Sequence, residues 1–419
     1  MMAGEHSAGF LGLFRGNASF RMLFAAQVIC QGGDWFTMIP LIILLNKLTG
    51  SASIGAFLMG METLVIAVVS PVAGSIIDRV PRKPVLVTCL FVSCFSVLLL
   101  PLIHDVTTVW LAIVTYAILA SSKSFFTPTV NAIVPEITSA GQLLTANASM
   151  NSVWGVMLAL GGSLGGLASA LGSPYACFLL TSLAYVCSAV LLAVGLPRQD
   201  RRTMKKPLSE EVAQPRRGLM PTLQYCCANR QTVALLFAQP ASQIGNGAIA
   251  LFPVLVIGMP GNSVVSASLL YAARGVGAMF GPLLARWVLR QGLAPRVGIF
   301  GAICAFGVGY GLLSLAHSVV VAFCCVALAH AGGSMNTSLA GFGLQRFTTD
   351  DIRGGVFAMF NMLAMGAIAI GQFSVSGALT VAHPQHIAQA ISALVISFGL
   401  LWAFCTRMQV WSFDAKMTR

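Results

Sequence analysis

The chain has 419 residues, of which 57% are hydrophobic and only 9% charged, with a formal net charge of +12. Ordinary soluble domains are about 25% charged, so this composition excludes a soluble globular protein and points to a polytopic membrane protein. The cysteines stand mostly singly in apolar runs (Cys30, Cys89, Cys187, Cys304). Without CxxC or Cys/His ligand spacing they read as small buried hydrophobes, and no metal site is expected. The HxxH of His383 and His386 sits in a short turn without further ligands.

The N-terminal "MMAGEHSAGFLGLFRGNASF" has no apolar core or small-residue cleavage site, so the first apolar run is expected to be a retained helix. That run, 22–46, contains "FAAQVICQGGDWFTMIPLIILL" with Asp34 near its middle. A charge there costs roughly 2.5–3.5 kcal/mol at the bilayer centre, which makes it a functional candidate. Gln27, Gln31 and Asp34 fall at i, i+4 and i+7, one helical stripe, with Trp35 beside it. The second span, 52–76, carries Glu62 at a similar expected depth and runs into "GSIIDRVPRKP". Spans follow at 84–103 and 107–129, the latter carrying Lys123, placed near the cytoplasmic end where a lysine can snorkel. The fifth, 144–170, carries a stripe of Asn147, Asn151 and Trp154, then the Gly-rich "LGGSLGGLASALG", a packing surface for neighbouring helices. The sixth is 173–196.

"PRQDRRTMKKPLSEEVAQPRRG" then forms the longest polar stretch and divides the spans six and six. The seventh span, 231–258, repeats the first stripe as Gln239, Gln243 and Asn246. The eighth, 264–286, holds Arg274 at mid-depth, and four more are expected at 297–316, 318–344, 355–382 and 387–407. All lysines and arginines except Lys47, Lys123 and Arg274 fall on one side of this topology, which places both termini in the cytoplasm. The basic charge then faces anionic lipid headgroups and calls for no nucleic acid.

The expected fold is all-α: twelve transmembrane helices in two pseudo-symmetric six-helix bundles, 1–196 and 231–419, joined by a cytoplasmic linker 197–230. "AQVICQGGDW" from Ala26 recurs as "AQPASQIGNG" from Ala238, and "GSIIDRVPRK" from Gly74 as "GPLLARWVLR" from Gly281. Parallel repeated halves are one transporter architecture. In lipid, polar stripes turn toward protein or water. Gln27, Gln31, Trp35, Asn147, Asn151, Gln239, Gln243 and Asn246 are therefore expected to line a substrate cavity. Asp34, Glu62 and Arg274 are its expected charged, proton-coupling groups; burial of a carboxyl favours its protonated form.

"GSIIDRVPRKP" resembles the loop signature of the major facilitator superfamily, Gly-x-x-x-Asp-Arg-x-x-Arg-Lys, with Gly74, Asp78, Arg79, Arg82 and Lys83 in register and Pro81 where that family often has Gly. "QGGDWFTMIPLIILLNKLTGS", "FFTPTVNAIVPEI", "LLTANASMNS" and "DDIRGGVFAMFN" resemble the drug, macrolide and siderophore exporter branch, and are also similar to lysophospholipid transporters. Gly161-Gly162 stands where such exporters often carry Gly-Pro. The resemblance implies proton-coupled export of an amphipathic or hydrophobic small molecule by alternating access, with Gly74, Asp78, Arg79, Arg82 and Lys83 as a gating loop. Asp78 is expected near Gly354 and Gly355, and Asp350, Asp351 or Glu136 are candidate partners of the basic residues. The alternative is a lysophospholipid or lipid transporter acting by facilitated flipping. A membrane enzyme is not expected: there is no nucleophile–base arrangement, and His317 and His330 read as isolated near helix ends. No cofactor is implied, and no nucleotide-binding loop is present. The expected partners are a small-molecule substrate, protons and the lipid bilayer, with no nucleic acid. The expected state is a monomer in the inner or plasma membrane.

Overall fold

The computed structural model describes residues 10–51, 53–77, 80–197, 219–257, 259–260, 263–348 and 350–407, and among these, helices follow one another closely. They are α1 (Phe10–Gly16), α2 (Ala18–Thr49), α3 (Ser53–Ile77), α4 (Arg82–Val97), α5 (Trp110–Ile137), α6 (Ala140–Leu171), α7 (Pro174–Gly195), α8 (Leu219–Ala228), α9 (Arg230–Gly245), α10 (Phe252–Leu255), α11 (Ser263–Arg290), α12 (Pro295–Leu313), α13 (Val319–Phe347), α14 (Asp350–Ala378) and α15 (Pro384–Arg407). Among the described residues, ten helical stretches are long and apolar enough to cross a membrane. The remaining two expected spans are α6, 32 residues long, and the stretch from α9 to α10.

Local chemistry sets the ends. Asn17 caps α2 by accepting from the Phe20 N–H at 2.9 Å. Gly50 closes the same helix in the left-handed region, φ 64°, where a side chain would be strained. Ser173 caps α7, whose first residue is Pro174, a position where the missing N–H costs nothing. Asn229 caps α9 by accepting from the Gln231 and Thr232 N–H groups at 3.1 Å.

The seventh span is not one regular helix as the sequence suggested. It runs as α9, a 3₁₀ segment over Asn246–Leu251, and the short α10. Pro253 donates no hydrogen bond to the preceding turn and its ring crowds the carbonyl four residues back, which disfavours a continuous α-helix here. Gly247 lies against the backbone of Gly371 on α14, and Gly371 in turn lies against the backbone of Ile244. No side chain separates the two segments at this point.

The chain groups into two compact units. One comprises 1–50 and 64–208, the other 51–63 and 209–419. The passage from one to the other therefore falls within α3, and the expected halves 1–196 and 231–419 differ from these units in the segment 51–63.

In the first unit α2 packs against α6 and α7. A Cβ on Gly161 would meet the Gly32 carbonyl oxygen at 2.7 Å, and one on Gly165 would collide with the Phe36 backbone. The Gly-rich run thus serves close helix approach. In the second unit Gly277 and Gly281 bring α11 against Ala327, Ala331 and Ser334 of α13 in the same way. Large apolar side chains such as Leu164, Leu183 and Phe404 point outward (55%, 58% and 68% exposed), as a lipid-facing surface requires.

Candidate functional site

In the first unit, the α2 stripe delivers Asp34 to two other helices. One carboxylate oxygen, Oδ1, accepts a hydrogen bond from the Tyr185 hydroxyl on α7. The other, Oδ2, lies 3.4 Å from the Lys123 ammonium on α5, and the two side chains are only 16% and 28% exposed. Tyr185 itself is buried. Lys123, expected to snorkel to the membrane surface, turns to this intramembrane acid instead. The physical reason is cost: two unpaired charges in lipid are each expensive, and pairing offsets part of both penalties. Cys30, one turn before Asp34, feels the charge of both partners.

Below Asp34 on α2, Gln27 is buried, and the side-chain oxygens of Gln27 and Gln31 are buried without a hydrogen-bond partner. These are acceptors on the Asp34 side of the helix, one and two turns away. Trp35 lies on the α6 side: its Cβ would be 3.0 Å from a Cβ on Gly161. Asn147 on α6 is exposed, and the side chains of Asn151 and Trp154 lie outside the described residues.

The repeat in the second unit behaves differently. Gln243 donates to Gln239 at 3.1 Å and Asn246 donates to Gln243 at 2.6 Å, so the stripe is linked along its own helix. Asn246 sits where α9 passes into the 3₁₀ segment, and its oxygen is buried without a partner. Asn336 on α13, wholly buried, donates to the Ala238 carbonyl at 2.9 Å and to the Ser242 hydroxyl at 3.0 Å.

Arg274 on α11 lies within electrostatic reach of Tyr271, Tyr310 and His330. Tyr310 and His330 share a buried hydrogen bond of 3.0 Å, and Phe306 packs edge-on against the imidazole. His330 is thus an interior residue of α13, not an isolated histidine near a helix end. Glu62 falls in the 51–63 segment of the second unit, whereas Asp34 belongs to the first. Next to Glu62, Thr63 donates to Gln372 on α14 at 2.9 Å.

Sequence reasoning left out Tyr185, Asn336, Tyr310 and the pairing role of Lys123. The signal for Lys123 was its charge within a span. Tyr185 gave less, because a tyrosine in an apolar helix also suits an interface.

At the loop end of the first unit, Arg82 forms an ion pair with Glu136 and donates to the Ala132 carbonyl at 2.7 Å. Lys83 donates to the Leu196 carbonyl at 2.6 Å. The start of α4 is thereby tied to the ends of α5 and α7. Gly74 lies at the beginning of the last turn of α3. Asp78 and Arg79 lie outside the described residues, as do the side chains of Asp350 and Asp351 at the start of α14.

Solved structures share this fold at low sequence identity. The nucleoside transporter NupG matches with a TM-score of 0.73 at 12% identity, covering 96% of this chain and 100% of that one. A POT family transporter in complex with 5-aminolevulinic acid matches at 0.73 and 12%, covering 99% of each. A bacterial homologue of the iron transporter ferroportin, in an inward-facing state, matches at 0.70 and 14%, covering 92% and 98%. No curated protein matches the chain by sequence. At these identities the structures speak to the fold, which is that of major facilitator transporters. The family model described as Major Facilitator Superfamily matches residues 23–372, from within the Asp34 helix to Gln372 on α14. This multi-pass membrane protein belongs to the Major Facilitator Superfamily.

Proposed function

We propose that the protein is a proton-coupled secondary transporter that exports an amphipathic or hydrophobic small molecule by alternating access, with Asp34 as the proton site. The observation that carries this reading is the Asp34 carboxylate itself, far from the ends of an apolar helix and shared between Tyr185 and Lys123. Static packing of α2 would be served by a neutral amide, as at Asn246 in the repeat. An acid suggests a group whose charge changes. A proton drives a transporter only through different affinities in its two states; a carboxylate whose charge partner can leave is one way to provide them. Glu62 and Arg274 are secondary charged groups in this scheme, and the Gly74–Lys83 loop, including Asp78, is the expected gate. The cytoplasmic termini, the monomeric state and the inner or plasma membrane belong to the same reading.

A second reading, facilitated flipping of a lysophospholipid or related lipid, draws support from one feature of the first unit. A cavity of about 290 Å³ lies among α2, α6 and α7, lined by Gly33, Phe36, Met157 and the outward-facing Leu160, Leu164 and Leu180. Its walls are apolar and suit an acyl chain.

Transport by the purified protein in proteoliposomes separates the two. Proton coupling predicts uphill substrate movement under an imposed pH gradient and substrate-induced proton flux. The flipping reading predicts lysophospholipid movement that the gradient does not alter. Absence of proton flux with every substrate that moves would reject the first reading.

A further inference from the structure

Two glutamines of the Asp34 stripe carry a cost that their copies in the repeat avoid. Gln27 is 5% exposed, and the side-chain oxygens of Gln27 and Gln31 are both buried without a hydrogen-bond partner. An amide oxygen that has lost water and gained no donor is unfavourable, and most buried polar groups in folded proteins are satisfied. In the second unit the same stripe uses its oxygens internally: Gln239 accepts from Gln243, and Gln243 accepts from Asn246. The oxygen left over, on Asn246, stands where the helix breaks. Spacing does not explain the contrast. Gln27 and Gln31 are four residues apart, as are Gln239 and Gln243, a separation at which side chains on one helix face can meet. Helix α2 runs unbroken through this stretch, so the two amides stand on one face with about 6 Å of rise between them. Asp34, next on the stripe, is itself an acceptor, and its oxygens face Tyr185 and Lys123. The stripe therefore presents acceptors and supplies them with no donor.

Resting on the reading of the protein as an exporter of an amphipathic small molecule, we infer that Gln27 and Gln31 accept hydrogen bonds from the polar head of the substrate, and that this head carries N–H or O–H donors. An amine, an amide or a hydroxyl meets that requirement. A quaternary ammonium does not: it has charge without a donor and leaves both oxygens as they are. Charge alone selects little here, because Asp34 attracts a cationic head and Lys123 repels it. The donors of the head decide. The repeat stripe, bonded along its own helix, takes no corresponding part, so the two copies differ in role although they match in sequence.

Equilibrium binding of two radiolabelled probes to the full chain in nanodiscs tests this. Dodecylammonium and dodecyltrimethylammonium share their charge and chain, and the first has N–H donors where the second has methyl groups. Both also dissolve in lipid, so empty nanodiscs are subtracted and each variant is compared with the parent for the same probe. Gln27→Leu and Gln31→Leu should each weaken dodecylammonium binding by about 2–10-fold, the worth of one hydrogen bond, and leave dodecyltrimethylammonium binding at the parent value. Neither change removes a bond within the protein, so both variants should melt at or above the parent temperature. Gln243→Leu, which breaks two bonds, should melt lower and leave the ratio of the two probes unaltered. If Gln27→Leu fails to fold, Gln31→Leu carries the test. Equal loss of both probes, no loss of either, or a parent that does not bind dodecylammonium overturns the inference. Lower melting temperatures in both α2 variants would make these amides structural and overturn it as well. Proton flux in proteoliposomes keeps the two readings apart. A parent with the binding contrast and no flux rejects proton coupling alone; a parent with flux and no contrast rejects this inference alone.

Discussion

Thr37 on α2 donates a hydrogen bond of 2.6 Å to Thr181 on α7, and both hydroxyls are buried. The contact lies about one helical turn beyond the Asp34–Tyr185 bond on each helix. The same Thr181 hydroxyl donates to the Gly33 carbonyl at 3.3 Å, so one side chain links two points of α2. Thr181→Val should lower stability by about 1–3 kcal/mol, because the Thr37 hydroxyl is left buried without its acceptor. The double variant Thr37→Val/Thr181→Val should cost less than the sum of the singles. Thermal unfolding in detergent of all four proteins gives the coupling; strict additivity would show that the bond contributes nothing.

In the second unit, Tyr310→Phe removes the hydroxyl bonded to His330 and leaves the imidazole nitrogen buried. A loss of about 1–3 kcal/mol is expected from the unsatisfied group. His330→Phe in the Tyr310→Phe background should recover part of it, since two apolar rings of similar shape need no partner. Melting curves of the single and double variants check this, and further destabilisation by the second change would refute it.

The coupling assignment makes a functional prediction. Asp34→Asn should lower gradient-driven accumulation by about tenfold or more while downhill exchange persists, and the melting temperature should fall because Lys123 loses its counter-ion. Glu62→Gln, in the other compact unit, should reduce accumulation less. Uptake of labelled substrate into proteoliposomes with and without a pH gradient distinguishes the outcomes. Parent-like accumulation by both variants would make the two acids structural.

Outside the spans, Asp105 offers a pH test. Its carboxylate accepts from the Thr107 hydroxyl at 2.6 Å and the Thr108 N–H at 3.1 Å, and these bonds hold its pKa below the ordinary 3.8. A depressed carboxylate stabilises the folded state above its ordinary value, and that contribution is lost as pH falls through the lowered one. Thr107→Val should raise the Asp105 titration toward 3.8, followed by carbon NMR of the labelled carboxylate. An unchanged titration would remove the hydroxyl as the cause.

Charge and periodicity made most of the fold legible. The all-helical fold of long apolar stretches needed no tertiary information. The break after Gly245 was less legible even with Pro253 beyond it, because Pro40, Pro128, Pro135, Pro240 and Pro282 lie inside continuous helices and a proline alone does not say which helix is interrupted. Asp34 stood out for the energetic cost of its position. Its partners did not, because which helices flank α2, and at what height, is a packing outcome: Tyr185 lies 151 residues away. Lys123 was visible as a charge but was assigned to the surface, since a flexible stem allows either course and only the location of the acid decides between them.

The bare-backbone contact of Gly247 with Gly371 has a consequence for how this chain tolerates sequence drift. On the outward faces Leu164 or Phe404 can be exchanged for almost any apolar residue, because lipid adapts to the new shape. At Gly247 and Gly371 even one methyl group has nowhere to go, as each would-be Cβ collides with main chain that cannot move aside like a flexible side chain. Random substitution followed by selection for folded protein should therefore deplete every alternative at these two positions, while scattering freely over outward-facing positions such as Leu164 and Phe404.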